Sequence, residues 1–445
     1  MTTRSVLFST CTLFVTASVA QAADLPMTKG EAVEYVKVCS EFGPGFFYIP
    51  GTETCIQVSG SMRALYGYNN IPKGSYSASP GKAGQHGSAR QVDQTAFQGR
   101  FQLNFDVRTQ TEFGVLRSFL SLDANTGHSG TQTRPFGSVT GSVVPVDKAF
   151  IQFGGLTAGY AESQYAFYDN YYGDTVLAPY AGSGQIGTSE QLAYTAQFGG
   201  GLSATVSLED PAHNRTSLLG GSNVLPAVTY AGTQIPDIIG NVAYSSGQYD
   251  KVQIMAAAHQ IRTFGGDLNG GGNSKWGFAV GAGASWEIPL LSGGYFAVEG
   301  SYSDGASAYT GANMNANSSA GSPADYDAFV INGETKTAKA WSAEGEAAIN
   351  FMPNLQGMVF GSYAHYDAPG IVEAEDLGSG FNAFVVGANL KYTVVKGFYI
   401  IPEVSYEYTK AKIAGFNNIS GNGLFNNSKA KTDSILAGVE VRRTF

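Results

Sequence analysis

Residues 97–108 read FQGRFQLNFDVR. Gln98, Arg100, Gln102, Asn104, Asp106 and Arg108 alternate one for one with Phe97, Gly99, Phe101, Leu103, Phe105 and Val107. A period of two describes a strand whose two faces meet different surroundings. The polar face wants water and the apolar face wants its absence. In a soluble sheet the apolar face rests on a core, so the rest of the chain decides whether one core can serve every strand of this kind.

The pattern recurs. From Ile56, the residues Val58, Gly60, Met62, Ala64, Tyr66 and Tyr68 face one way, and Gln57, Ser59, Ser61 and Arg63 the other. Leu116, Leu120 and Leu122 oppose Arg117, Ser121 and Asp123. The runs 192–198 and 202–208 flank Gly199-Gly200-Gly201, a hairpin signal. Further strands are expected near 147–153, 156–160, 236–244, 251–261, 275–287, 294–302, 338–349, 355–364, 382–393, 397–408 and 433–445, about sixteen altogether. Tight links fall around 109–114, 154–155, 199–201, 245–249, 288–293, 350–354 and 394–396. Long links rich in Gly, Ser, Asn and Asp fall near 69–94, 124–145, 161–189, 211–234, 262–274, 303–336, 365–380 and 409–432. Seven short and eight long links make the fifteen connections that sixteen meandering strands need, with both termini on the short-turn side.

Such a meander, with short turns on one rim and long loops on the other, is the pattern of an all-β, 16-stranded antiparallel transmembrane barrel. Lipid or a neighbouring subunit then covers the apolar faces, and closure satisfies the backbone where an open edge could not survive. A soluble exported β-sandwich or lectin would also alternate, but it does not predict alternating link lengths. Composition agrees with the barrel. Only 14% of the 445 residues are charged, against about 25% in an average soluble protein. The 58 glycines, 25 tyrosines and 27 phenylalanines suit strands and turns. After the first 22 residues no apolar run of about 18 residues occurs, so a spanning helix is not expected.

Residues 1–22, MTTRSVLFSTCTLFVTASVAQA, carry basic Arg4, an apolar stretch and a small-x-small site at Ala20-Gln21-Ala22, the features of a cleaved secretory signal. Cys11 lies in a poor context for lipidation. Removing the segment takes one Arg and no acid, so the charge moves from −9 to −10, with 25 basic against 35 acidic residues. That balance argues against a nucleic-acid partner. Cys39 and Cys55 remain. In an exported chain the pair points to a disulfide, worth about 3 kcal/mol for a loop of that size, the other reading being two separate reduced thiols. The expected divisions are a signal at 1–22, an N-terminal segment at 23–54 and a barrel at 55–445. The last strand alternates Ile435, Ala437, Val439 and Val441 with Ser434, Gly438, Glu440 and Arg442 and ends on Phe445, interrupted by Arg443. A terminal aromatic on such a strand is similar to the signal that barrel-assembly machinery reads in its outer-membrane clients.

VEYVKVCSEFGPGFFYIPGTETCIQVSG (33–60), RTQTEFGVLRSFLSL (108–122), KAFIQFGGLTAGYAES (148–163), AYTAQFGGGLSATVSLEDP (193–211) and PDIIGNVAYSS (236–246) resemble the general porins of alphaproteobacteria. The resemblance implies a homotrimer in the outer membrane, in contact with its lipid. It also implies short periplasmic turns, passive diffusion of small hydrophilic solutes, and a third long loop folded inward as a constriction. The cysteine pair matches the family. Tyr160, after GLTAG, stands where the family often carries Arg. Gly60 and Ala64, small and outward-facing on the first strand, suit a close subunit contact.

Alternation turns Arg63, Arg100, Arg108 and Arg117 inward from three consecutive strands. Glu162, Asp169 and Asp174 lie in the third long loop, and the expectation is that these acids face the arginines across the pore. The resulting field would order water and polar solutes. Asp106 and Asp123 share the arginine wall and would hold its cations apart; the competing reading is that the arginines pair within the wall or reach the rims and do no gating. The acidic balance predicts mild cation preference. The alternative function is a sugar-selective channel of the same architecture, in which Tyr165, Phe167, Tyr168, Tyr171 and Tyr172 form a stacking surface; more often such a cluster packs a loop on a wall. Trp276, Trp286, Tyr406 and Tyr408 are expected in interfacial girdles. The loop at 303–336, rich in Asn, Ser and Ala, is expected to be an exposed surface. No G-x-S-x-G elbow occurs, His86, His128, His213, His259 and His365 show no i, i+4 spacing, and NGGGN at 269–273 precedes no helix. Neither an enzyme nor a metal or cofactor site is expected.

Overall fold

The computed structural model describes residues 37–70, 94–127, 145–167, 175–177, 186–220, 229–264, 272–288, 293–311, 326–331, 334–369, 380–413 and 428–445. Two units are distinguished, Met1–Lys37 and Val38–Phe445, and the sheet lies within the second. The expected signal at 1–22 falls outside the described residues.

Sixteen strands form the ring: β1 Thr54–Asn69, β2 Thr95–Thr111, β3 Gly114–Gly127, β4 Val146–Phe153, β5 Leu156–Glu162, β6 Thr188–Gly199, β7 Leu202–Glu209, β8 Asp237–Ser245, β9 Lys251–Phe264, β10 Ser274–Ile288, β11 Gly294–Asp304, β12 Lys339–Met352, β13 Leu355–Asp367, β14 Phe381–Val395, β15 Phe398–Ile413 and β16 Ser428–Thr444. Each pairs antiparallel with the next in sequence. β16 returns to β1, from Ser61↔Thr444 to Asn69↔Leu436. Phe445 completes the seam by exchanging two backbone hydrogen bonds with Gly60, each 3.1 Å. Every strand of the ring thus has a hydrogen-bonded neighbour on both sides, which hydrocarbon requires because it offers backbone groups no partner.

The turns on one rim are two residues long at 112–113, 154–155, 200–201, 353–354 and 396–397. Glycine is needed at the tightest: Gly201 has φ +89°, and a Cβ there would fall 2.1 Å from the Ser245 carbonyl oxygen. The opposite rim carries the long links, among them L3 (163–187), L4 (210–236) and L6 (305–338). Alternation follows the sequence reading. On β12, Ala340, Ser342, Glu344, Glu346 and Ala348 are buried inside, while Trp341 is exposed outside. Phe97, the first residue of the stretch quoted above, is 74% exposed on the outer face. Apolar outside and polar inside is the reverse of a soluble protein and the arrangement that lipid selects.

The inner face departs from that reading near the long-loop rim. Ile261 on β9, Ala340 on β12, Ala364 and Tyr366 on β13, and Phe381 and Ala383 on β14 face inward, apolar and buried. Their cover comes from the loops. Tyr326–Ile331 of L6 pairs in parallel with Ser217–Gly220 of L4 and antiparallel with Glu334–Thr337, making a small separate sheet. Leu218, Ala328 and Val330 from it pack on Ile261, and Phe329 packs against the alanines of β12–β14. This corrects the expectation that 303–336 is an exposed loop: its described parts, including the 3-10 turn Ser307–Thr310, are largely buried. The alanines, small for an inner wall, are what make room.

Cys39 and Cys55 are joined by a disulfide, with Cα atoms 6.1 Å apart. It ties the start of β1 to the preceding segment, whose Phe47–Tyr48 pairs with β1.

Candidate functional site

The register sets the arginines side by side. Arg63 on β1 lies opposite Arg100 on β2 and opposite Arg442 on β16. Eight residues nearer the short turns along the same strand, Arg108 on β2 lies opposite Arg117 on β3. Like charges directly across a sheet repel, so each level needs interleaved acids. Asp106 supplies one: it accepts from Arg108 Nε and Nη2 at 3.0 and 2.7 Å, and from Arg117 Nε and Nη2 at 3.0 and 2.9 Å. Arg117 also donates to Gln152 Oε1 at 2.9 Å. Asp123 accepts from Arg100 Nε at 2.9 Å and from its Nη2. Glu440 pairs with Arg442, and Arg63 Nε donates to Ser61 Oγ at 3.3 Å. The Arg100 side chain keeps 38% of its surface exposed while that of Asp123 keeps 10%, so the cations reach into the lumen over the carboxylates that hold them. Aromatic rings brace the lower level: Arg108 lies 4.9 Å from the Phe46 ring, and Arg117 lies 5.0 and 5.4 Å from Phe119 and Phe150.

Opposite that wall runs L3. Its first part leaves β5 along the inside of β6–β11. Gln164 donates its N–H to Glu209 Oε1 at 2.8 Å, and Asn241 Nδ2 donates to the Gln164 carbonyl at 2.7 Å. Gln253 and Lys251 donate to the carbonyls of Ala166 and Phe167 at 3.0 and 2.5 Å. The Phe167 ring occupies space left by Gly283, where a Cβ would lie 2.3 Å from it. Tyr165 shares a 2.6 Å hydrogen bond with Ser301 on β11, and its burial pushes the phenol above its ordinary range. L3 then reaches the far side of the ring. Glu403 on β15 accepts the backbone N–H groups of Val176 and Leu177, each at 2.7 Å, and Leu177 sits against Gly438 of β16. The described parts of L3 are thus held on β7–β11 and again on β15 and β16. The side chains of Arg100, Arg108 and Arg117 on β2 and β3 keep 38%, 28% and 26% of their surface exposed.

The sequence reading brought Arg63, Arg100, Arg108, Arg117, Asp106 and Asp123 onto neighbouring strands, and there they are. Glu162 lies 3.5 Å from Lys148, and Asp169 and Asp174 fall outside the described residues. Tyr165 and Phe167 are packed into the wall, while Tyr168, Tyr171 and Tyr172 are outside the described residues. Tyr160 packs its ring 5.6 Å from His213, which is 2.6 Å from Glu190. Trp276 and Trp286 are outward and exposed, and Tyr406 and Tyr408 pack on Phe384.

The sequence reading missed the acids of the other wall. Glu299, Glu344, Glu346, Glu403 and Glu407 all face inward and are buried. The signal was present, since Ser342, Glu344 and Glu346 alternate within SAEGEAA, as do Glu403, Ser405 and Glu407 in EVSYEY. It also passed over Asp237 and His259, which meet at 2.8 Å with no accessible surface. Among the described residues no three His, Cys, Asp or Glu are grouped to hold a metal ion.

The family model described as Porin subfamily matches residues 24–439. Porin Omp2b of Brucella canis is 32% identical over 284 residues, covering 63% of this chain and 72% of that protein. Porin Omp2b of Brucella suis biovar 1 matches to the same extent. Among solved structures, the outer membrane channel DcaP of Acinetobacter baumannii superposes with a TM-score of 0.62 at 14% identity, over 89% of this chain and 99% of that one. The last likeness bears on the fold alone.

Proposed function

The chain belongs to the porin subfamily, channels of the outer membrane, and we propose that small hydrophilic solutes and ions diffuse along the arginine-lined side of its lumen. The observation that carries the proposal is the division of the inner wall. L3 and the L4–L6 sheet cover β7–β15, and the guanidinium groups of β1–β3 keep the water-exposed face. A pore of this kind selects by diameter and internal field. Arg63, Arg100, Arg108 and Arg117 with Asp106 and Asp123 set that field, and Glu162 at the end of β5 adds an acid beside Lys148; the part expected of Asp169 and Asp174 concerns residues outside the described ones. The sugar-selective alternative gains nothing from Tyr165 and Phe167, whose rings are packed away from any solute.

Further parts of the reading follow from the family. Residues 1–22 are removed on export, and the mature chain assembles as a homotrimer embedded in outer-membrane lipid. The seam made by Phe445 is the feature that barrel-assembly machinery engages.

The test is single-channel recording of the purified mature protein in a planar bilayer under asymmetric KCl. Insertion in groups of three steps, linear current and a small cation-selective reversal potential are expected. Replacing Arg63 and Arg100 by Ala leaves Asp123 without its cation, so the reversal potential should shift further toward cations. An unchanged reversal potential removes the arginines from the selectivity filter. A folded, inserted protein that passes no current ends the diffusion reading.

A further inference from the structure

At the short-turn mouth, the segment before β1 folds back onto the inner face of the ring. Cys55 lies opposite Arg108 in the register and Gln57 lies opposite Asp106, so both face the lumen with them. The disulfide to Cys39 therefore sits inside the mouth. Cys39 donates its N–H to the Phe46 carbonyl at 2.9 Å, and Gln57 Nε2 donates to the Pro44 carbonyl at 3.0 Å. Gly45 has φ +90°, and a Cβ there would fall 2.9 Å from Gln57 Nε2, so the chain passes close over that side chain. This path brings two rings to one cation. Phe46 lies 4.9 Å and Phe42 5.9 Å from the guanidinium carbon of Arg108, and the two rings are inclined at 61° to each other.

We propose that Arg108 is the contact of a binding station for small oxyanions, phosphate- or carboxylate-bearing solutes, at the short-turn mouth, and that the disulfide-closed segment 38–48 positions it. This deepens the diffusion reading and rests on it. Arg108 meets Asp106 through Nε and Nη2, one edge of a planar fork. The edge carrying Nη1 faces away from that carboxylate. Arg117 engages all three nitrogens, Nε and Nη2 with Asp106 and Nη1 with Gln152. Two guanidinium groups thus share one carboxylate, and the station keeps a net positive charge. A guanidinium edge matches the paired oxygens of a carboxylate or a phosphate.

Distance makes this station separate from the set of Arg63, Arg100 and Arg442. Arg108 follows Arg100 by eight residues of β2, roughly 26 Å along a strand at about 3.3 Å per residue. Screening at physiological salt acts over about 8 Å, so charges that far apart across water do not hold one ion between them. The rings matter because a guanidinium held along one edge can still tilt about it. A ring on its face removes that freedom and attracts the cation in its own right. Phe42 and Phe46 act on the solute only through Arg108. The disulfide adds what the two-residue Phe47–Tyr48 pairing lacks, a covalent hold on β1 directly opposite Arg108. One net cation is a local stop for oxyanions, while the ion preference of the pore is set along its full length.

The test is block of single-trimer currents by inorganic pyrophosphate, added to one chamber at a time in symmetric KCl. From the short-turn side the anion meets Arg108 early in the field, so block from one chamber should contain a weakly voltage-dependent component. Arg108→Gln should weaken that component about tenfold or more, the factor that ~1.4 kcal/mol of a charge-assisted hydrogen bond supplies. Asp106 keeps Arg117 as its partner in this variant, so the wall retains its pairing. The Arg63→Ala/Arg100→Ala protein should keep the component. Phe46→Leu, which retains bulk without a ring, and Cys39→Ser/Cys55→Ser should each weaken it about threefold, as the ~0.5–1 kcal/mol of a cation–π contact implies. Phe46→Tyr should retain it. Arg108→Gln blocked like the parent from both chambers overturns the station. Parent-like block in both Phe46→Leu and the double serine variant overturns the role of the segment. A parent that conducts without this component overturns the proposal and leaves the diffusion reading standing, whereas a parent that passes no current ends both.

Discussion

Glu403 shows how much one side chain holds at the centre of this molecule. Its two oxygens accept the backbone amides of Val176 and Leu177, and Asn389 Nδ2 donates to it at 3.1 Å. Charge-assisted bonds to backbone N–H groups are among the stronger hydrogen bonds. Glu403→Gln keeps the shape but turns an NH2 group toward one of the amides, at a cost of roughly 1–3 kcal/mol. The far anchor of L3 should loosen, and single-channel records should show larger and noisier openings than the parent. Equal mean conductance and equal noise would mean that L3 is held elsewhere. The arginines illustrate the opposite balance at the same scale. Each is fixed by a neighbour on its own or an adjacent strand, so its position depends little on the loop across the lumen.

At the scale of the element, the N-terminal segment depends on its crosslink. Phe42 and Phe46 pack beside the disulfide, and Arg108 lies over the Phe46 ring. Without the disulfide the segment retains the short Phe47–Tyr48 pairing, the isolated Val38↔Phe47 bridge and a Gln57 side-chain bond to the Pro44 carbonyl. A bridge closing a loop of this size contributes about 3 kcal/mol in the chain-entropy picture. Replacing both Cys39 and Cys55 by Ser should therefore free residues 38–53 to proteolysis while the ring stays folded, because none of its sixteen pairings passes through the bridge. Mass analysis of limited digests reads this directly. A segment as resistant as before would show that packing alone holds it. L3 is an element of another kind, placed by the walls it touches: Gly283, Glu403 and Gly438 form its seat, on strands that follow it in the chain.

At the scale of the whole molecule, stability rests on a closed ladder with lipid outside. Val280 lies midway along β10 and faces outward, 47% exposed. An arginine at the bilayer midplane costs about 2–4 kcal/mol, so Val280→Arg should lower unfolding stability in lipid vesicles by that amount, measured by denaturant titration of tryptophan fluorescence. Unchanged stability would place that stretch of β10 out of contact with lipid. The same asymmetry explains why the acids of the inner wall are tolerated. Glu299 and Glu344 lie opposite each other in the register, a pairing that the polar interior of a barrel can carry and an apolar core could not.

Strand number, order, the long and short rims and the inward arginines were all legible in the sequence. Lipid imposes a period of two on every strand, and a meander leaves its turn lengths in plain view; both are local signals, readable within ten or so residues. The placement of the loops was not legible. Tyr165 meets Ser301 across 136 residues, Val176 meets Glu403 across 227, and Thr216 meets Asp327 across 111. No periodicity records such contacts. They exist because the ring, once closed, brings distant walls within reach of one loop, and because Ala340, Ala364 and Ala383 leave space beside the wall for another. Local periodicity is enough to specify the barrel and the charges along one side of its lumen, because lipid acts on each strand separately. Which inner faces the loops cover rests instead on contacts between residues more than a hundred positions apart, which form only after the ring has closed.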